Sequence, residues 1–405
     1  MTPTNKATTP SIGPGPGQTS STLRGTLWLL ALVAGVAIAN IYYNQPLLDA
    51  LASDFPRDAS WVGLVATMTQ IGFAAGMVLV SPLGDRMDRR RLILWQIVGI
   101  CVALVLAATA TTLAALVGAS LLIGLFATMA QQAGPFAAEL APPEQRGHAI
   151  GTVMSGLVMG ILLARTFSGL IAEHLGWRAV FAASIMTMLI LACLVALKLP
   201  RSTPSSVLPY GELLRSLWGL ALELRTLREA AVTGGALFAA FSLFWTVLAM
   251  LLASPPFGLG PQAAGLFGII GAAGALAAPL AGKLADRRGP RAVISFAIVL
   301  MAVSFLIFGL SGSSLIGLVL GVVVLDVGLQ MAQVSNQTRI FALRPEARSR
   351  VNTVYMTFYF LCGAIGSATG AYAWQQFGWI GVVIAGGVFT AAAYLNHRLG
   401  RAVSP

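Results

Sequence analysis

Charge is what this chain has least of. Asp, Glu, Lys and Arg make up 10% of its 405 residues, while hydrophobic residues make up 57%. An ordinary soluble domain carries about 25% charged residues, so no set of soluble domains accounts for this composition. Histidine is scarce too. His148, His174 and His397 stand near the ends of apolar runs, with no metal-ligand or nucleophile partner at useful spacing, which leaves a membrane enzyme unsupported. The three cysteines, Cys101, Cys193 and Cys362, lie inside apolar runs without a CxxC pair and read as small core residues rather than metal ligands or disulfides. No glycine-rich phosphate loop ending in Lys-Ser or Lys-Thr is present, so an ATP-driven pump is unsupported as well. Acidic residues number 14 against 25 basic ones. The resulting charge of +11 does not point to nucleic acid, because the arginines are scattered between apolar runs with no aromatic-rich basic domain to gather them.

What the chain does have is apolar runs about 20 residues long, the length that spans a bilayer. Twelve are predicted, at 25–47, 60–82, 92–111, 113–135, 147–171, 178–198, 230–253, 262–283, 291–310, 314–337, 351–374 and 378–396. The fold class is therefore an all-α membrane protein with twelve transmembrane helices, six before and six after the hydrophilic stretch at 199–229. With the amino terminus inside, all of the 25 Lys and Arg except Arg57, Arg165 and Arg178 fall in cytoplasmic segments, which is 22 of them. Both termini are then expected in the cytoplasm, which in a bacterial setting means the inner membrane. Residues 1–21, rich in Pro, Gly, Ser and Thr, are expected to be a disordered cytoplasmic tail. They do not read as a cleavable signal, since the apolar run that follows is too long and lacks a cleavage site. The amino-terminal bundle covers 22–198, a cytoplasmic central loop 199–229, the carboxy-terminal bundle 230–398 and a tail 399–405. The second part of the central loop has the pattern of a surface-lying amphipathic helix.

The halves repeat each other. "SPLGDRMDRRRLIL" from Ser81 and "AGKLADRRGPRAVI" from Ala281 both write a small residue and Asp-Arg between apolar runs, and the pairs Asp85-Arg86 and Asp286-Arg287 stand 201 positions apart. Met129-Ala130-Gln131 precedes Met331-Ala332-Gln333 by 202, and the same offset relates Pro143-Glu144 to Pro345-Glu346, Arg146 to Arg348, and Gly176-Trp177 to Gly378-Trp379. Twelve helices in two parallel repeats, each with a Gly-x-Leu-Ala-Asp-Arg-x-Gly-Arg-Arg type loop, resemble the major facilitator superfamily, which implies two six-helix pseudo-symmetric bundles around a central cavity. The phrase "ANIYYNQPLL" from Ala39 resembles that family's drug:proton-antiporter-like efflux branch. The resemblance covers about residues 22–398. The second loop fits the motif from Gly282 to Gly289; the first departs from it at Ser81 and Asp88. The resemblance implies that the loop aspartates dock one half on the other. Asp85 would meet the start of span 11 near Arg350, and Asp286 the start of span 5. Asp85, Arg86, Arg89, Asp286, Arg287 and Arg350 are the gating candidates, and the alternative is that the arginines only set topology.

Polar residues inside spans are the site candidates, because an ionisable group in mid-membrane marks function by default. Asp326, in "VVVLDVGLQMAQVSNQ", lies about 18 Å from either end of span 10. It suits uptake and release of a proton; the alternative is a hydrogen-bonded structural acid. Arg165 in span 5 either snorkels to the nearer membrane face or holds an anionic group in the cavity. Counted along the helices, Arg165 and Asp326 differ in depth by about 10 Å, so a direct salt bridge is not favoured. Span 5 keeps Gly156 and Gly160 at a spacing that lets helices approach closely. It carries Ala164-Arg165 and Ser168-Gly169 where the family's antiporter motif has Gly-Pro and Gly-Gly. Span 1 ends "ANIYYNQPLL", where Pro46 breaks the helix and frees carbonyls. The remaining substrate-binding candidates are Asn40, Tyr43, Asn44, Gln70, Gln131, Gln132, Trp245, Gln330, Gln333, Tyr355 and Tyr359, with interhelical hydrogen bonding as the alternative for each polar one.

The expected function is proton-coupled export of a small amphipathic organic substrate by a carrier in the lipid bilayer. It would use a proton gradient and no cofactor, and it would work as a monomer without nucleic acid. Uptake of a nutrient or organic anion, or a non-transporting sensor of the same fold, are the rivals.

Overall fold

The computed structural model describes residues 20–203, 209–344 and 347–400, and every regular element among them is a helix. Backbone crossing hydrocarbon must satisfy its own N–H and C=O groups, which helices do within one segment. Span 1 is α1 (Ser20–Tyr42) and, after a 3-10 turn at Gln45–Leu47, the short α2 (Leu48–Asp54). Span 2 is α3 (Gly63–Leu79), span 3 is α4 (Arg89–Ala108), and span 4 is α5 (Leu113–Phe126) with α6 (Met129–Leu140). Spans 5 and 6 are α7 (Arg146–Leu175) and α8 (Trp177–Lys198). The amphipathic α9 (Tyr210–Glu223) follows, and span 7 is α10 (Arg225–Ala253). Span 8 is divided into α11 (Pro261–Ile270) and α12 (Ala272–Arg288); spans 9 and 10 are α13 (Pro290–Leu310) and α14 (Leu315–Phe341). The last helix, α15 (Arg348–Leu399), is 52 residues long. At 1.5 Å per residue it measures about 78 Å, more than twice the roughly 30 Å of a hydrocarbon core. It bends out of helical geometry at Gly378 (φ 60°, ψ −152°) and so holds spans 11 and 12. Ten helices are long and apolar enough to cross a bilayer, one of them crossing twice. With the divided span 8, the crossings number twelve, as predicted. Most of the amino-terminal tail (1–19), residues 204–208 and 401–405, and the repeat residues Pro345-Glu346 lie outside the described residues.

The repeat is visible in the turns. Gly176 and Gly378, paired by the 202-residue offset, both take positive φ between consecutive spans. Gly289 does the same between spans 8 and 9, with φ 81°. Its counterpart Asp88 reaches the same corner differently: its φ is −55°, and its carboxylate caps α4 by accepting from the Arg90 N–H at 3.1 Å. The departure from the loop motif at Asp88 is thus an exchange of a glycine turn for a side-chain cap. Asp88 also accepts from the Ser202 N–H at 2.9 Å, tying the chain after span 6 to this corner.

Spans 1 and 5 cross at glycines. A Cβ on Gly160 would stand 2.1 Å from the Gly35 carbonyl oxygen, and one on Gly156 would stand 2.3 Å from that of Ala31, so only hydrogen fits. Between the halves, span 2 packs on span 11, and span 5 packs on α11, while α12 packs on spans 9 and 10 of its own half. Along the 5–8 seam the main packing between the halves is on α11, the part of span 8 toward the face opposite the arginine-rich one. On the arginine-rich face, α9 lies across the ends of spans 2 and 11. Its Leu213, Leu217 and Leu220 are buried, while Trp218 and Leu222 are exposed. The Tyr210 hydroxyl donates to the Leu79 carbonyl at 2.6 Å, on the amino-terminal half, and Glu223 pairs with Arg344 of the other half.

On the same face, the ends of spans 7, 9, 10 and 12 meet at Glu229. Arg291 donates to both its carboxylate oxygens, at 2.8 and 2.7 Å, Arg339 lies at 3.1 Å and His397 Nδ1 at 4.0 Å. The first half has a counterpart. Arg89, equivalent to Arg291 by the 202-residue offset, pairs with Asp85 at 3.3 Å and Glu139 at 3.4 Å.

Candidate functional site

Span 8 carries glycine at 265, 268, 271 and 274. Three residues advance a helix by 300°, so this line of glycines winds back about 60° per step. It faces span 5 first and span 10 afterwards. A Cβ on Gly265 would meet the Arg165 carbonyl oxygen at 2.6 Å, and one on Gly268 the Arg165 Cβ at 2.9 Å. One on Gly271 would lie 3.0 Å from Asp326 Oδ1, and one on Gly274 2.8 Å from the Asp326 Cβ and backbone. The helix breaks at Gly271, between α11 and α12, so the Asp326 carboxyl sits against the break. One helix from the second half therefore touches both charged residues of the membrane interior.

Arg165 does not snorkel. It is 1% exposed, and its Nε donates to Gln45 Oε1 at 2.7 Å, in the turn that Pro46 opens in span 1. One turn on, the Ser168 hydroxyl donates to the Tyr43 carbonyl, which that break leaves without a helical partner. The guanidinium carbon stands 3.8 Å from the ring centre of Trp245, 4.8 Å from Tyr42 and 5.7 Å from Phe241. Desolvated contacts of this kind are worth about 2 kcal/mol. Trp245 belongs to span 7, so the cage closes across the two halves.

Asp326 is 9% exposed. Arg165 and Asp326 act on each other electrostatically but form no ion pair within 4.0 Å among the described residues. Trp245 stands between them, its ring under the guanidinium and its indole beside the carboxyl. Arg165 Nη2, Trp245 Nε1 and Asp326 Oδ2 are all buried without a hydrogen-bond partner. Each such group costs about 1–3 kcal/mol. The Trp245 indole lies within reach of the Asp326 carboxyl, so a small adjustment would pair those two, and a polar group of a bound solute, or a water, would satisfy Arg165 Nη2.

The other candidates divide. Asn40 donates to the Val36 carbonyl at 2.8 Å and accepts from Ser184 at 2.7 Å; Asn44 donates to Thr69 at 2.8 Å. Gln132 donates to Gln96 at 2.9 Å. These bonds lie within the first half, while Asn44 Oδ1 and Gln132 Oε1 are buried without a partner. Gln70 is committed between the halves. It donates to Ser367 at 2.8 Å and accepts from Ser242 at 3.3 Å, and Thr246 meets the same Ser367 at 2.8 Å. On the other side, Tyr359 donates to Gln333 at 3.2 Å and stacks on Phe238 with ring centres 4.0 Å apart. Tyr355 is fully buried, its hydroxyl without a partner. Gln131, Gln330 and Tyr43 are half-buried. The sequence reading did not select Tyr42, Gln45 and Phe241 as site residues, although Phe241 and Trp245 stand four apart on one helix face. Nothing in the sequence marks Gly271 and Gly274 as neighbours of Asp326.

At the arginine-rich face, Asp85 and Arg350 line one small crevice with Ser81, Ser349 and Thr353, and Leu213 and Leu217 of α9 insert there. The loop aspartate and the start of span 11 thus come together, with α9 as a third party. Arg86 and Arg287 are exposed. The Asp286 side chain, and with it the expected contact to span 5, lies outside the described residues.

Twelve spans in two repeated halves, meeting around a buried Arg–Trp–Asp group, define a membrane carrier of the two-bundle type. Comparison with known proteins agrees. The family model described as Major Facilitator Superfamily matches residues 27–366 and again 230–401. The uncharacterized transporter YgaY of Escherichia coli is 41% identical over 88% of this chain and 91% of its own length. The multidrug resistance protein MdtG of Salmonella paratyphi A is 28% identical over 67% of this chain and 69% of its own. Among solved structures, the nucleoside transporter NupG superposes with a TM-score of 0.74 at 14% identity, covering 94% of this chain and 99% of that one, which establishes the fold. The chain belongs to the major facilitator superfamily. It is a transporter of small organic solutes in a membrane, not an enzyme.

Proposed function

We propose that this transporter exports a small amphipathic organic solute across the bacterial inner membrane by proton-coupled alternating access, with Asp326 carrying the proton. The observation behind this reading is the Asp326 carboxyl buried against the break in span 8, its Oδ2 unpartnered, with Trp245 between it and Arg165. A proton on Asp326 removes its attraction for Arg165 and frees the carboxyl to donate. Loss of the proton restores a charge that the break in span 8 and the cage must accommodate. Both elements belong to the seam between the halves, so protonation acts where the halves must part. The aromatic cage offers ring faces to an apolar body, and the unpartnered Arg165 Nη2 offers a polar contact to its head. The name of MdtG supports the export direction. The positive-inside rule puts the arginine-rich face and both termini in the cytoplasm, and the carrier works as a monomer without a cofactor.

One observation favours a second reading. Arg165 Nη2 is a buried, unpartnered donor on a cation, which suits the carboxylate of an organic anion, taken up together with protons.

Protein in liposomes with a trapped pH-sensitive dye tests both. Substrate gradients from a panel of amphipathic drugs, sugars and organic acids are imposed on wild type and Asp326→Asn. Proton movement with one compound, absent in the variant, is the expected result, and its sign separates antiport from symport. Undiminished proton movement in Asp326→Asn refutes the assignment.

A further inference from the structure

Spans 9 and 12 leave a groove of about 530 Å³ on the outer, lipid-facing surface of the second half. Phe305 and Ile298 form its floor, and both are buried. Gly387 opens its wall. No atom lies within 4 Å of where a Cβ on Gly387 would sit, and its φ is not in the left-handed region, so neither packing nor a turn requires glycine there. Gly386 beside it is different: a Cβ there would strike the Phe305 ring. The one hydroxyl in the groove other than that of Tyr394 belongs to Thr390, which donates to its own helix at the Gly386 carbonyl, leaving the lining apolar.

The groove has a charged end. At the arginine-rich face, Tyr394 lines it, and Arg398 lies back over that ring with its Nε donating to the Tyr394 hydroxyl at 3.0 Å. No described residue takes the Arg398 Nη donors. Behind it, Arg291 and Arg339 outnumber the one carboxylate, Glu229, that they share. From Arg398 down to Val383, at the far end of the groove, is fifteen residues of helix, about 22 Å. One leaflet of a roughly 30 Å core is about 15 Å deep, so an acyl chain whose headgroup stands at Arg398 follows the groove to the level of Gly387 and Phe305, eleven residues or about 16 Å along the helix.

We propose that this groove is a binding site for one anionic phospholipid of the leaflet on the arginine-rich face, its tail along Gly387 and Phe305 and its phosphate on Arg398. The tail gains no hydrophobic free energy by leaving other lipid tails. Any preference among lipids must therefore come from the headgroup at Arg398, while occupancy depends on the open wall at Gly387.

Native mass spectrometry of the purified protein with phosphatidylglycerol or phosphatidylcholine of equal chain length separates the two contributions. Wild type is expected to retain phosphatidylglycerol about fivefold better, as one basic residue at an anionic surface provides. Arg398→Gln is expected to abolish the preference, and Gly387→Leu to lower retention of both lipids; circular dichroism confirms that each variant keeps its helical content. Equal retention of the two lipids by wild type overturns the proposal. So does a preference that survives Arg398→Gln, retention unchanged in Gly387→Leu, or a second copy of the chain shielding the groove.

Discussion

Replacing Arg165 by methionine separates what this residue does for stability from what it does for transport. The contacts to be lost are on record: the charge-assisted bond to Gln45 at 2.7 Å and the contact with Trp245 at 3.8 Å. The first is worth about 1.5–3 kcal/mol and the second about 2 kcal/mol. Against them stands the cost of keeping a cation at 1% exposure, which is several kcal/mol even after relaxation. A methionine fills much of the same volume and carries no charge. The two sides nearly cancel, so Arg165→Met is expected to shift stability by no more than about 2 kcal/mol, the scale on which well-packed apolar replacements of buried charges fall. The remaining loss comes from Gln45, whose amide is left without its donor. The double variant Arg165→Met with Gln45→Met removes that orphan and is expected to regain about 1–3 kcal/mol. Thermal unfolding in detergent measures each variant, and liposome flux measures transport, which is expected to be lost in both. Unfolding of Arg165→Met more than about 4 kcal/mol easier than wild type, not recovered in the double variant, refutes the reasoning, because Arg165 would then be a structural keystone. Intact flux would refute it from the other side.

Other positions give sharper single results. Gly274→Ala puts a methyl 2.8 Å from the Asp326 backbone; it is expected to cost about 1–3 kcal/mol of overpacking and to slow any proton-coupled flux, read by thermal shift and the dye assay together. Glu229→Gln leaves Arg291 and Arg339 without their shared carboxylate. The lost charge-assisted bonds in this partly buried cluster are worth about 1.5–3 kcal/mol, so a clear loss of thermal stability is expected, and a change below about 1 kcal/mol would show that the cluster is solvated.

Much of this architecture was legible because the bilayer imposes a length and a charge rule on every segment. The predicted boundaries of span 6, at 178–198, differ from α8 by one residue. The break inside span 8 was not legible, because "GIIGAAGALAAPL" has no residue that forces a bend at Gly271 rather than at a neighbouring glycine. Arg165 was ambiguous because counting along a helix gives depth but not azimuth, and azimuth decided between snorkelling and the cage. The Glu229 cluster was invisible because its partners come from three other helices, 62 to 168 residues away in sequence. Arg89 and Arg291 stand at the 202-residue offset, but each recruits carboxylates from different elements, which an offset cannot reveal. For Asn40, Asn44 and Gln132 the sequence shows polarity but not the neighbours each bonds, which come from other helices or turns of the first half.

The linker helix has a mechanical consequence. A helix of 14 residues, about 21 Å of stiff rod, is fastened to the first half at Leu79 and to the second at Arg344. It therefore limits how far the ends of spans 2 and 11 can separate, while Gln70 and Ser367 tack the same seam at mid-depth. Among the described residues, which leave out the Asp286 side chain, no such fastening joins spans 5 and 8 at that face. The two seams are unequal, like the hinged and free edges of a door. Under the alternating access proposed above, the fastened edge at spans 2 and 11 is the expected hinge and the edge at spans 5 and 8 the expected opening.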